Sequence, residues 1–455
     1  MRFSELEGAA VGVWGAGREI GSFAAQLARR LPAARIAVAA FDAEPPAPSR
    51  EKLLAPHAQI VTGAEIVPAL SGCDVVVRSP GVSIHRPELH QLRERGMLVT
   101  TPTSLWLTEH GPEGVVGVTG TKGKSTTAAL VHHLARAAGV SVRLAGNIGA
   151  PAIDLLDGER TRLIVLELSS YQLADLQSGP EVALVTSLFR EHIDWHGSEA
   201  GYRAEKLRLL ALPGVRVALV NGRDPRLTAA LRDLDLDLGS DAAVVEYGVP
   251  GGWDLDANGE VTLAGRPVLA GGELPLRGEH NALNLCGALA ALEALGVRPQ
   301  LPHALEGFAP LAHRLEEVLE RDGVLWVNDS ISTTPESTLA ALSSYPDRGA
   351  VLIAGGQDRG QDYSELGGAL ARTAATVIGV PSTGARVLEA ARAAGADPVR
   401  TLQARDLEQA VELARARARA GDVVLLSPAA PSYDHYRDFE ERGERFRTLA
   451  TLSPG

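Results

Sequence analysis

Short apolar segments alternate with helical stretches along the whole chain, and this alternation limits the possible folds more than any other feature. The segments AVGVWGAG, IAVAAFD and CDVVVRSPG form a first series, and each ends in turn residues. A second series begins at VVGVTGTKGKST and a third at VLWVNDS, with Ala-rich helical stretches between their apolar runs. Buried strands joined by helices are typical of βαβ units and parallel sheets. The sequence therefore predicts an α/β protein.

The three series also predict the domain organisation. A chain of 455 residues has the length of about three domains, at roughly 150 residues each. Turn clusters near residues 110 and 310 mark the boundaries, so we expect domains at 1-110, 111-311 and 312-455. The glycine-rich stretch 245–275 is predicted to form a small β-hairpin insertion.

Charge and cysteine content exclude several classes of protein. Lys and Arg number 44 against 56 Asp and Glu, and the resulting net charge of −12 disfavours binding to nucleic acid or anionic lipid. Two cysteines do not make a disulfide framework, which indicates a reducing compartment. The N-terminal residues lack the pattern of a signal peptide, and no apolar run is long enough to span a membrane. We therefore expect a cytoplasmic monomer that acts on small molecules, without nucleic-acid or membrane partners.

The strongest local signal is the segment GVTGTKGKST at 117–126, which follows an apolar strand and opens a helix. Glycines let backbone N–H groups converge on phosphate oxygens, and the helix N-terminus adds positive potential. The usual first glycine of such a loop is replaced by Val118, so this is a variant, and the alternative is a chance glycine-rich turn. We predict a nucleotide triphosphate site, with nucleotide contacts at Gly120, Thr121, Lys122, Gly123, Lys124, Ser125 and Thr126.

A second glycine turn, around Gly15, follows the first strand, and Asp42 ends the next strand. Such a pair contacts a nucleotide in many Rossmann-like folds, although the turn also serves close packing alone. This pair leaves open a different class of function, an NAD(P)-dependent oxidoreductase. The turn RSPGVS at 78–83 either lines the same crevice or is a simple loop.

Three further features concern metal binding. Glu167 ends a buried strand, where α/β sheets collect ligands and metals, and the alternative is an exposed edge acid. The loop REHIDWHGS contains His192 and His196 together with two acids, a composition that suits a metal site or a polar loop. Lys206 lies in a charged helix, where a lysine normally belongs to the solvated face.

Several motifs occur in one order that resembles the Mur ligase family. They are GTKGKST, GNIG, ELSSYQL, the His192 loop, YRAEKL, GEHNALN, HRLE and NDS. The resemblance covers essentially the whole chain and implies a Rossmann-like UDP-binding N-terminal domain, a central P-loop ATPase domain with a parallel sheet, and a Rossmann-like C-terminal domain that receives the amino acid. The C-terminal segment LLSPAAPSYDHYRDFEERGERF is most similar to members that add glutamate to UDP-N-acetylmuramoyl-L-alanine through an acyl phosphate.

The resemblance also implies roles for the catalytic and metal-binding residues. Lys124 would neutralise the transferred phosphate, and Ser125 and Glu167 would hold one Mg²⁺ ion. His192 would bind a second Mg²⁺ and is also a candidate base for the amine. Lys206 matches a carbamylated lysine, whose carboxylate would stabilise that second ion.

The remaining expected contacts follow from the same resemblance. Adenine, phosphate and ribose contacts of ATP are expected at Asn281, Arg314 and Asp329. The uridine diphosphate end of the substrate is expected at Gly15, Asp42, Ser79 and Gly81, and the rest of it at Asn147, Ser169 and Gln172.

The expected glutamate pocket departs from the pattern of the members that add D-glutamate. Thr333, Ser432 and Phe439 match that pocket, but Ile331 and Arg359 each stand where those members have a lysine. The loss of an ammonium at position 331 must alter how a carboxylate is held. We therefore favour the subgroup that adds L-glutamate, and D-glutamate remains the alternative. A non-catalytic nucleotide-binding regulator and a folate polyglutamate synthase are further alternatives.

Overall fold

The computed structural model describes residues 1–42, 55, 57–189, 193–233, 242–309, 312–373 and 375–452. The chain divides into two compact units. The first unit contains Met1–Glu273 and Leu283–Glu306, and the second contains Leu274–Ala282 and Gly307–Gly455. In the described residues, no helix has the length and apolar character needed to cross a membrane.

The first unit contains two parallel sheets and a small antiparallel one. The strands of the first sheet are β1 Ala10–Trp14, β2 Arg35–Phe41, β3 Gln59–Thr62, β4 Val75–Arg78 and β5 Val99–Thr100, in the order β3-β2-β1-β4-β5. Those of the second sheet are β6 Val115–Thr119, β7 Val142–Gly146, β8 Leu163–Glu167, β9 Val182–Val185, β10 Val217–Asn221 and β11 Ala243–Tyr247, in the order β11-β10-β9-β6-β8-β7. The small sheet contains β12 Trp253–Leu255, β13 Val261–Leu263 and β14 Arg266–Leu269.

The second unit contains one sheet, with the order β15-β16-β20-β17-β18-β19. Its strands are β15 Glu316–Arg321, β16 Val324–Asn328, β17 Gly349–Ala354, β18 Thr376–Gly379, β19 Thr401–Gln403 and β20 Asp422–Leu426. All of its pairings are parallel except that of β15 with β16. The predicted α/β class with parallel sheets is therefore confirmed.

The helices connect these strands. They are α1 Arg18–Arg30, α2 Ile66–Leu70, α3 Pro87–Glu94, α4 Pro102–His110, α5 Lys124–Ala137, α6 Ser170–Leu173, α7 Ile193–His196, α8 Glu199–Arg208, α9 Pro225–Asp233, α10 Glu279–Ala294, α11 Pro335–Ser343, α12 Ser364–Arg372, α13 Gly384–Ala393, α14 Leu407–Arg417 and α15 Phe439–Thr451.

The central strands of each parallel sheet are buried on both faces. Every residue of β6 and β8 is buried, and α5 packs against both strands. Helices on both faces explain why these strands are continuous apolar runs rather than alternating ones. Because both faces of these strands are buried, we expect the polar loops that bind ligands at the carboxyl ends of the strands.

Two elements differ from the sequence-based expectation. The insertion at 245–275 has a third strand, β14, paired antiparallel with β13, so it is more than the single hairpin that we expected. The edge strand β15 was not predicted, because its residues, Glu316–Arg321, are mostly polar. An edge strand that is only partly buried lacks the apolar signal on which strand prediction depends.

Candidate active site

The glycine-rich loop lies between β6 and α5, as the sequence predicted. Gly120 has φ +141° and Gly123 has φ +86°, conformations that favour glycine. A Cβ atom on Gly120 would lie 2.1 Å from Thr186 Oγ1, and one on Gly123 would lie 2.4 Å from Asn284 Oδ1. Both positions therefore require glycine, and the loop can approach a ligand with its bare backbone.

Hydrogen bonds from the neighbouring loop hold this backbone in place. The amide of Thr121 donates to the Ser187 carbonyl at 2.8 Å, and the amide of Lys122 donates to Ser187 Oγ at 2.9 Å. Thr121 Oγ1 shares a hydrogen bond of 2.7 Å with Tyr202 OH. The ammonium of Lys124 donates to the Thr121 carbonyl at 2.8 Å, so it lies over the loop that precedes its own helix.

Lys206 lies against the same loop. Its side chain is 2% exposed, and Nζ donates to the Gly120 carbonyl at 2.7 Å. Nζ also lies 4.9 Å from the centre of the Tyr202 ring. The solvated face that its charged helix suggested is therefore wrong, since this lysine is buried beside the phosphate loop.

Glu167 lies at the carboxyl end of β8, next to β6, and is 1% exposed, which contradicts the alternative of an exposed edge acid. Its Oε1 accepts a hydrogen bond of 2.8 Å from Asn147 Nδ2, and its backbone carbonyl accepts from the amide of Asn147. Among the described residues, the buried Oε2 has no hydrogen-bond partner. A buried carboxylate oxygen in that state suits a divalent cation, so the chemistry of the site fits Mg²⁺.

The other expected metal ligands are distributed differently. Ser125 begins the buried part of α5, but His192 lies outside the described residues. His196 is buried in an aromatic cluster, where Nε2 lies 2.9 Å from Ser170 Oγ and the ring packs edge-on against Trp195 and Tyr202. Within the part of the chain that the structure describes, no three His, Cys, Asp or Glu side chains form a metal-binding group.

The carboxyl edge of the first sheet brings the expected uridine diphosphate residues together. Gly15 has φ +92°, and a Cβ atom there would lie 2.9 Å from Ser79 Cβ. Asp42 follows β2 and accepts hydrogen bonds from Trp14 Nε1 at 3.4 Å and from Arg86 Nη1 at 2.6 Å. The carbonyl of Gly81 accepts a hydrogen bond of 3.3 Å from Trp195 Nε1.

Arg78, which the sequence analysis did not assign to the site, fixes this turn. It is fully buried and donates to the carbonyls of Ser79 at 3.1 Å and Val82 at 2.7 Å. Its Nε is paired with Asp175, which also accepts from Arg93 at 2.8 Å. A buried arginine with several carbonyl acceptors holds a loop in one conformation.

Ser169 and Gln172 form a capping box at the start of α6. Gln172 Oε1 accepts from the Ser169 amide at 2.8 Å, and its Nε2 donates to Glu19 Oε1 at 2.7 Å. Thr103 Oγ1 also donates to Glu19, at 3.0 Å. Burial raises the pKa of Glu19, although these two hydrogen bonds oppose the rise. Sequence analysis missed Glu19, because an acid in the first turn of a helix is common for local reasons.

The second unit contains the other expected nucleotide contacts. Asp329 follows β16 and is 3% exposed, with Oδ2 accepting from Ser427 Oγ at 2.8 Å and Oδ1 accepting from the Leu315 amide at 3.2 Å. Burial raises its pKa to about 6. Asn281 Nδ2 donates to the Arg277 carbonyl at 2.7 Å. Arg314 lies in the turn before β15 and is half-buried.

The expected glutamate residues also belong to the second unit. Arg359 lies in the loop after β17, with its guanidinium 5.7 Å from the centre of the exposed Tyr433 ring. The carbonyl of Thr333 accepts from Gln361 Nε2 at 3.4 Å, Ser432 is buried, and Phe439 begins α15.

Two further residues define the surroundings of that pocket. The amide of Ile331 donates to the His313 carbonyl at 3.1 Å. Arg442, which the sequence analysis missed, is buried and donates to the carbonyls of Ser330 at 2.8 Å and Ala430 at 3.2 Å. Burial lowers its pKa to about 10. Arg442 therefore joins the segment after β16 to the segment after β20.

Comparison with known proteins identifies the family. The Mur ligase middle domain matches residues 118–292, and the Mur ligase glutamate ligase domain matches residues 313–430. A Salinispora tropica protein named UDP-N-acetylmuramoyl-L-alanine–L-glutamate ligase is 44% identical over 98% of this chain and 98% of its own. A protein of the same name from Xanthomonas euvesicatoria pv. vesicatoria is 41% identical over 100% of this chain and 97% of its own.

Solved structures share the fold. The MurF ligase of Thermotoga maritima in complex with ADP has a TM-score of 0.60 and 17% identity, over 91% of this chain and 95% of its own. The folylpolyglutamate synthase of Mycobacterium tuberculosis, complexed with ADP and AMPPCP, has a TM-score of 0.56 and 18% identity, over 78% of this chain and 96% of its own. The chain therefore belongs to the Mur ligase family of ATP-dependent ligases.

Proposed function

We propose that this enzyme joins L-glutamate to UDP-N-acetylmuramoyl-L-alanine, a step of peptidoglycan precursor synthesis, while ATP is converted to ADP and phosphate. The observation that carries the proposal is the identity of 44% and 41%, over nearly the full chain, to relatives named for that reaction. The phosphate loop supports the use of ATP, because its two glycines with positive φ leave the backbone open to a ligand.

The reaction follows from the chemistry of the substrates. A carboxylate is a poor electrophile, so one of its oxygens first takes the γ-phosphoryl group, and ADP leaves. The amine of glutamate then attacks the acyl carbon with its lone pair, the bond to phosphate breaks, and the nitrogen loses a proton. Both steps bring anions together or build charge, so fixed positive charge lowers the barrier.

Lys124 places a positive charge over the loop. Its ammonium lies over the Thr121 carbonyl, from which it can turn to the terminal phosphate of ATP. Ser125 and Glu167 would hold one Mg²⁺ ion, and the buried, unpartnered Oε2 of Glu167 supports that assignment. When bound, Mg²⁺ supplies electrostatic stabilisation of the phosphate oxygens.

We assign the second Mg²⁺ to His192 and to a carbamate on Lys206. The neutral amine forms a bond to the carbon of CO₂ and releases one proton to solvent, which gives a carboxylate and leaves one N–H on Nζ. That N–H can keep the hydrogen bond of 2.7 Å to the Gly120 carbonyl. His192 is also our candidate for the base that takes the proton of the amine.

We assign the substrates to three domains, with boundaries at 1-110, 111-311 and 312-455. The first would bind the UDP end through Gly15, Asp42, Ser79 and Gly81. The second would bind ATP, and Asn147, Ser169 and Gln172 would hold the rest of the UDP substrate. The third would bind glutamate, and Asn281, Arg314 and Asp329 would contact ATP. We also predict that the enzyme is cytoplasmic and monomeric.

We expect the proposed glutamate pocket to favour the L enantiomer. Inversion of Cα with a fixed amine moves the two carboxylates to different positions, so the cations around them must move as well. Arg359 offers a planar fork suited to a carboxylate, whereas Ile331 offers no charge where a D-specific pocket has an ammonium. Thr333, Ser432 and Phe439 would complete the pocket. A desolvated carboxylate without its partner loses several kcal/mol, and each ~1.4 kcal/mol is tenfold in affinity.

The decisive experiment compares the two enantiomers directly. Phosphate release is measured with saturating ATP and UDP-N-acetylmuramoyl-L-alanine and with enantiopure L- or D-glutamate. We expect kcat/KM for L-glutamate to be at least about a hundredfold higher. Faster turnover of D-glutamate would contradict the stereochemistry but leave the ligase reaction intact, and no turnover of either would contradict the substrate assignment.

A pair of variants tests whether position 331 reads the enantiomer. Ile331→Lys should reduce the preference for L-glutamate, because it supplies the second cation. Ile331→Met, which keeps a similar volume without charge, is the matched control and should leave the ratio unchanged. An unchanged ratio in Ile331→Lys would remove position 331 from the selection of the enantiomer.

A further inference from the structure

The loop after β17 holds the guanidinium of Arg359 in a defined orientation. Nε donates to Gln357 Oε1 at 3.3 Å, and the guanidinium carbon lies 5.7 Å from the centre of the Tyr433 ring. In the described parts of the chain, no acceptor lies within hydrogen-bond distance of Nη1 or Nη2 of this exposed side chain. Each of these two nitrogens directs one N–H bond past the end of the guanidinium in the same direction. That parallel pair is the arrangement that binds a carboxylate bidentately.

Arg386, in α13, fixes the loop that carries Arg359. Its Nη1 donates to Asp358 Oδ1 at 2.6 Å, and its Nη2 donates to the Gln361 carbonyl at 2.7 Å. Asp358 Oδ1 also accepts from the Gly360 amide at 2.8 Å, which closes the turn around Arg359. One guanidinium therefore holds the chain on both sides of Arg359.

The position of Arg386 is itself fixed by a buried ring. Its guanidinium carbon lies 5.3 Å from the centre of the Tyr363 ring, and Tyr363 is 3% exposed. An arginine over an aromatic face is held by the ring as well as by its hydrogen bonds. Because both terminal nitrogens of Arg386 already donate to the loop, Arg386 is less suited than Arg359 to bind a ligand itself.

A further contact joins this loop to another residue of the expected glutamate pocket. Gln361 Oε1 accepts from the Arg359 amide at 3.0 Å, and Gln361 Nε2 donates to the Thr333 carbonyl at 3.4 Å. Gln361 therefore links the backbone of Arg359 to the segment after β16. Since Arg386 holds the carbonyl of the same Gln361, it also influences the spacing of Arg359 and Thr333.

We propose that Arg386 is a positioning residue for the incoming amino acid, because it holds the loop at 357–361 so that Arg359 meets one carboxylate of glutamate. The inference rests on the proposed function, in which Arg359 and Thr333 bind glutamate. A loop that is already ordered loses less conformational entropy when the ligand binds. Loss of Arg386 should therefore weaken glutamate binding specifically.

Steady-state kinetics with each substrate varied in turn test this role. Arg386→Leu should raise KM for L-glutamate about tenfold and change kcat and KM for ATP by less than about twofold, because Arg386 acts on the loop and not on the reacting atoms. An unchanged KM for L-glutamate, or an equal rise in KM for ATP, would overturn the proposal.

Arg392→Leu is the matched control. Arg392 lies in the last turn of the same helix and donates to Thr401 Oγ1 at 2.7 Å and to the Thr401 carbonyl at 2.8 Å. Its loss also removes two hydrogen bonds of α13 but none to the loop at 357–361, so KM for L-glutamate should stay unchanged. The same rise in both variants would show a general effect of the helix and would contradict a positioning role.

A double-mutant cycle separates positioning from direct contact. Arg359→Leu alone should raise KM for L-glutamate more than Arg386→Leu does, and Arg386→Leu added to it should cause little further rise, because Arg386 acts through Arg359. A further tenfold rise would mean that Arg386 itself binds the amino acid, which overturns the proposal. The two hypotheses fail separately, because turnover by the wild-type enzyme tests the ligase reaction and the KM ratios of the variants test Arg386.

Discussion

Lys206 is the residue whose burial most changes the interpretation of the sequence. The side chain of Lys206 is only 2% exposed, whereas the ammonium of a lysine is normally hydrated. A carbamate would turn that amine into a carboxylate, the kind of ligand that Mg²⁺ prefers. The chemical form of this side chain therefore decides what the buried position can do.

Lys206→Ala should be nearly inactive, and small carboxylates such as acetate should restore part of the activity by occupying the vacated ligand position. In addition, ¹³C NMR of the enzyme in labelled bicarbonate should show a carbamate signal that Lys206→Ala lacks. Lys122→Ala, on the loop itself, is the control and should keep that signal. Full activity of Lys206→Ala, or the same spectrum in both proteins, would contradict carbamylation.

Asp329 should make the enzyme more stable at low pH than at neutral pH, which is the opposite of the usual effect of a carboxyl group. Its pKa of about 6 in the folded protein lies above the ordinary value of 3.8, because burial disfavours the carboxylate. The folded state therefore binds this proton more tightly. Protonation of Asp329 therefore raises the free energy of unfolding by about 3 kcal/mol. This contribution is fully present below pH 4 and is lost as the pH rises through 6.

Urea unfolding of wild type and Asp329→Asn between pH 4 and 7 measures this effect. The free energy of unfolding of wild type, relative to Asp329→Asn, should fall as the pH rises across that range. A difference that stays constant across this range would mean that burial does not raise the pKa of the Asp329 carboxyl.

At the scale of elements, the phosphate loop depends on a glycine that no other residue can replace. A Cβ atom on Gly120 would meet Thr186 Oγ1 at 2.1 Å and the Ser187 backbone nitrogen at 2.9 Å. The backbone atom cannot move without displacing the loop after β9. Gly139, after the other end of α5, also has a positive φ of +75°, but its Cβ atom would meet nothing within 4 Å.

This contrast provides a matched pair of variants. Gly139→Ala should lower the free energy of unfolding by about 1 kcal/mol, from backbone strain alone, and leave ATP affinity unchanged. Gly120→Ala should lower stability further and reduce ATP affinity at least about a hundredfold, because the amides no longer converge. Both are measured by urea unfolding and by nucleotide titration. Equal ATP affinity in the two variants would show that the loop tolerates a side chain.

At the scale of the molecule, the buried pair of Arg78 and Asp175 links two parts of the first unit. Arg78 ends β4 of the first sheet, and Asp175 follows α6, which extends from the second sheet. Removal of Asp175 leaves the buried Arg78 without an anionic partner, and removal of Arg78 leaves Asp175 with only the partly exposed Arg93. Removal of both residues of the pair leaves no such buried, poorly compensated charge. The pair therefore makes the position of the turn at 78–83 dependent on the second sheet.

A double-mutant cycle measures this coupling. Arg78→Leu alone should lower the free energy of unfolding by about 3–5 kcal/mol, and Asp175→Leu by a similar amount. The double variant should be more stable than the sum of the two losses implies, because neither charge is then left unpaired. Additive losses in urea unfolding would show that the two residues do not act as a pair.

The amino-acid sequence by itself determined the local features of this protein. Apolar runs and helical periodicity encode βαβ units, and the segment at 117–126 encodes a strand, a glycine loop and a helix. These signals are readable because each depends on residues that are neighbours in the chain. The family resemblance, confirmed by the identified relatives, likewise rests on short motifs in a fixed order.

Only the tertiary structure decided which of these features meet. The contact of the buried Lys206 with Gly120 and the hydrogen bonds of Asn147 with Glu167 and with Arg18 each join residues far apart in sequence. The polar strand β15 is defined by its pairing with β16 and carries little signal of its own. Such contacts depend on long-range packing and desolvation, which no local pattern of residues records.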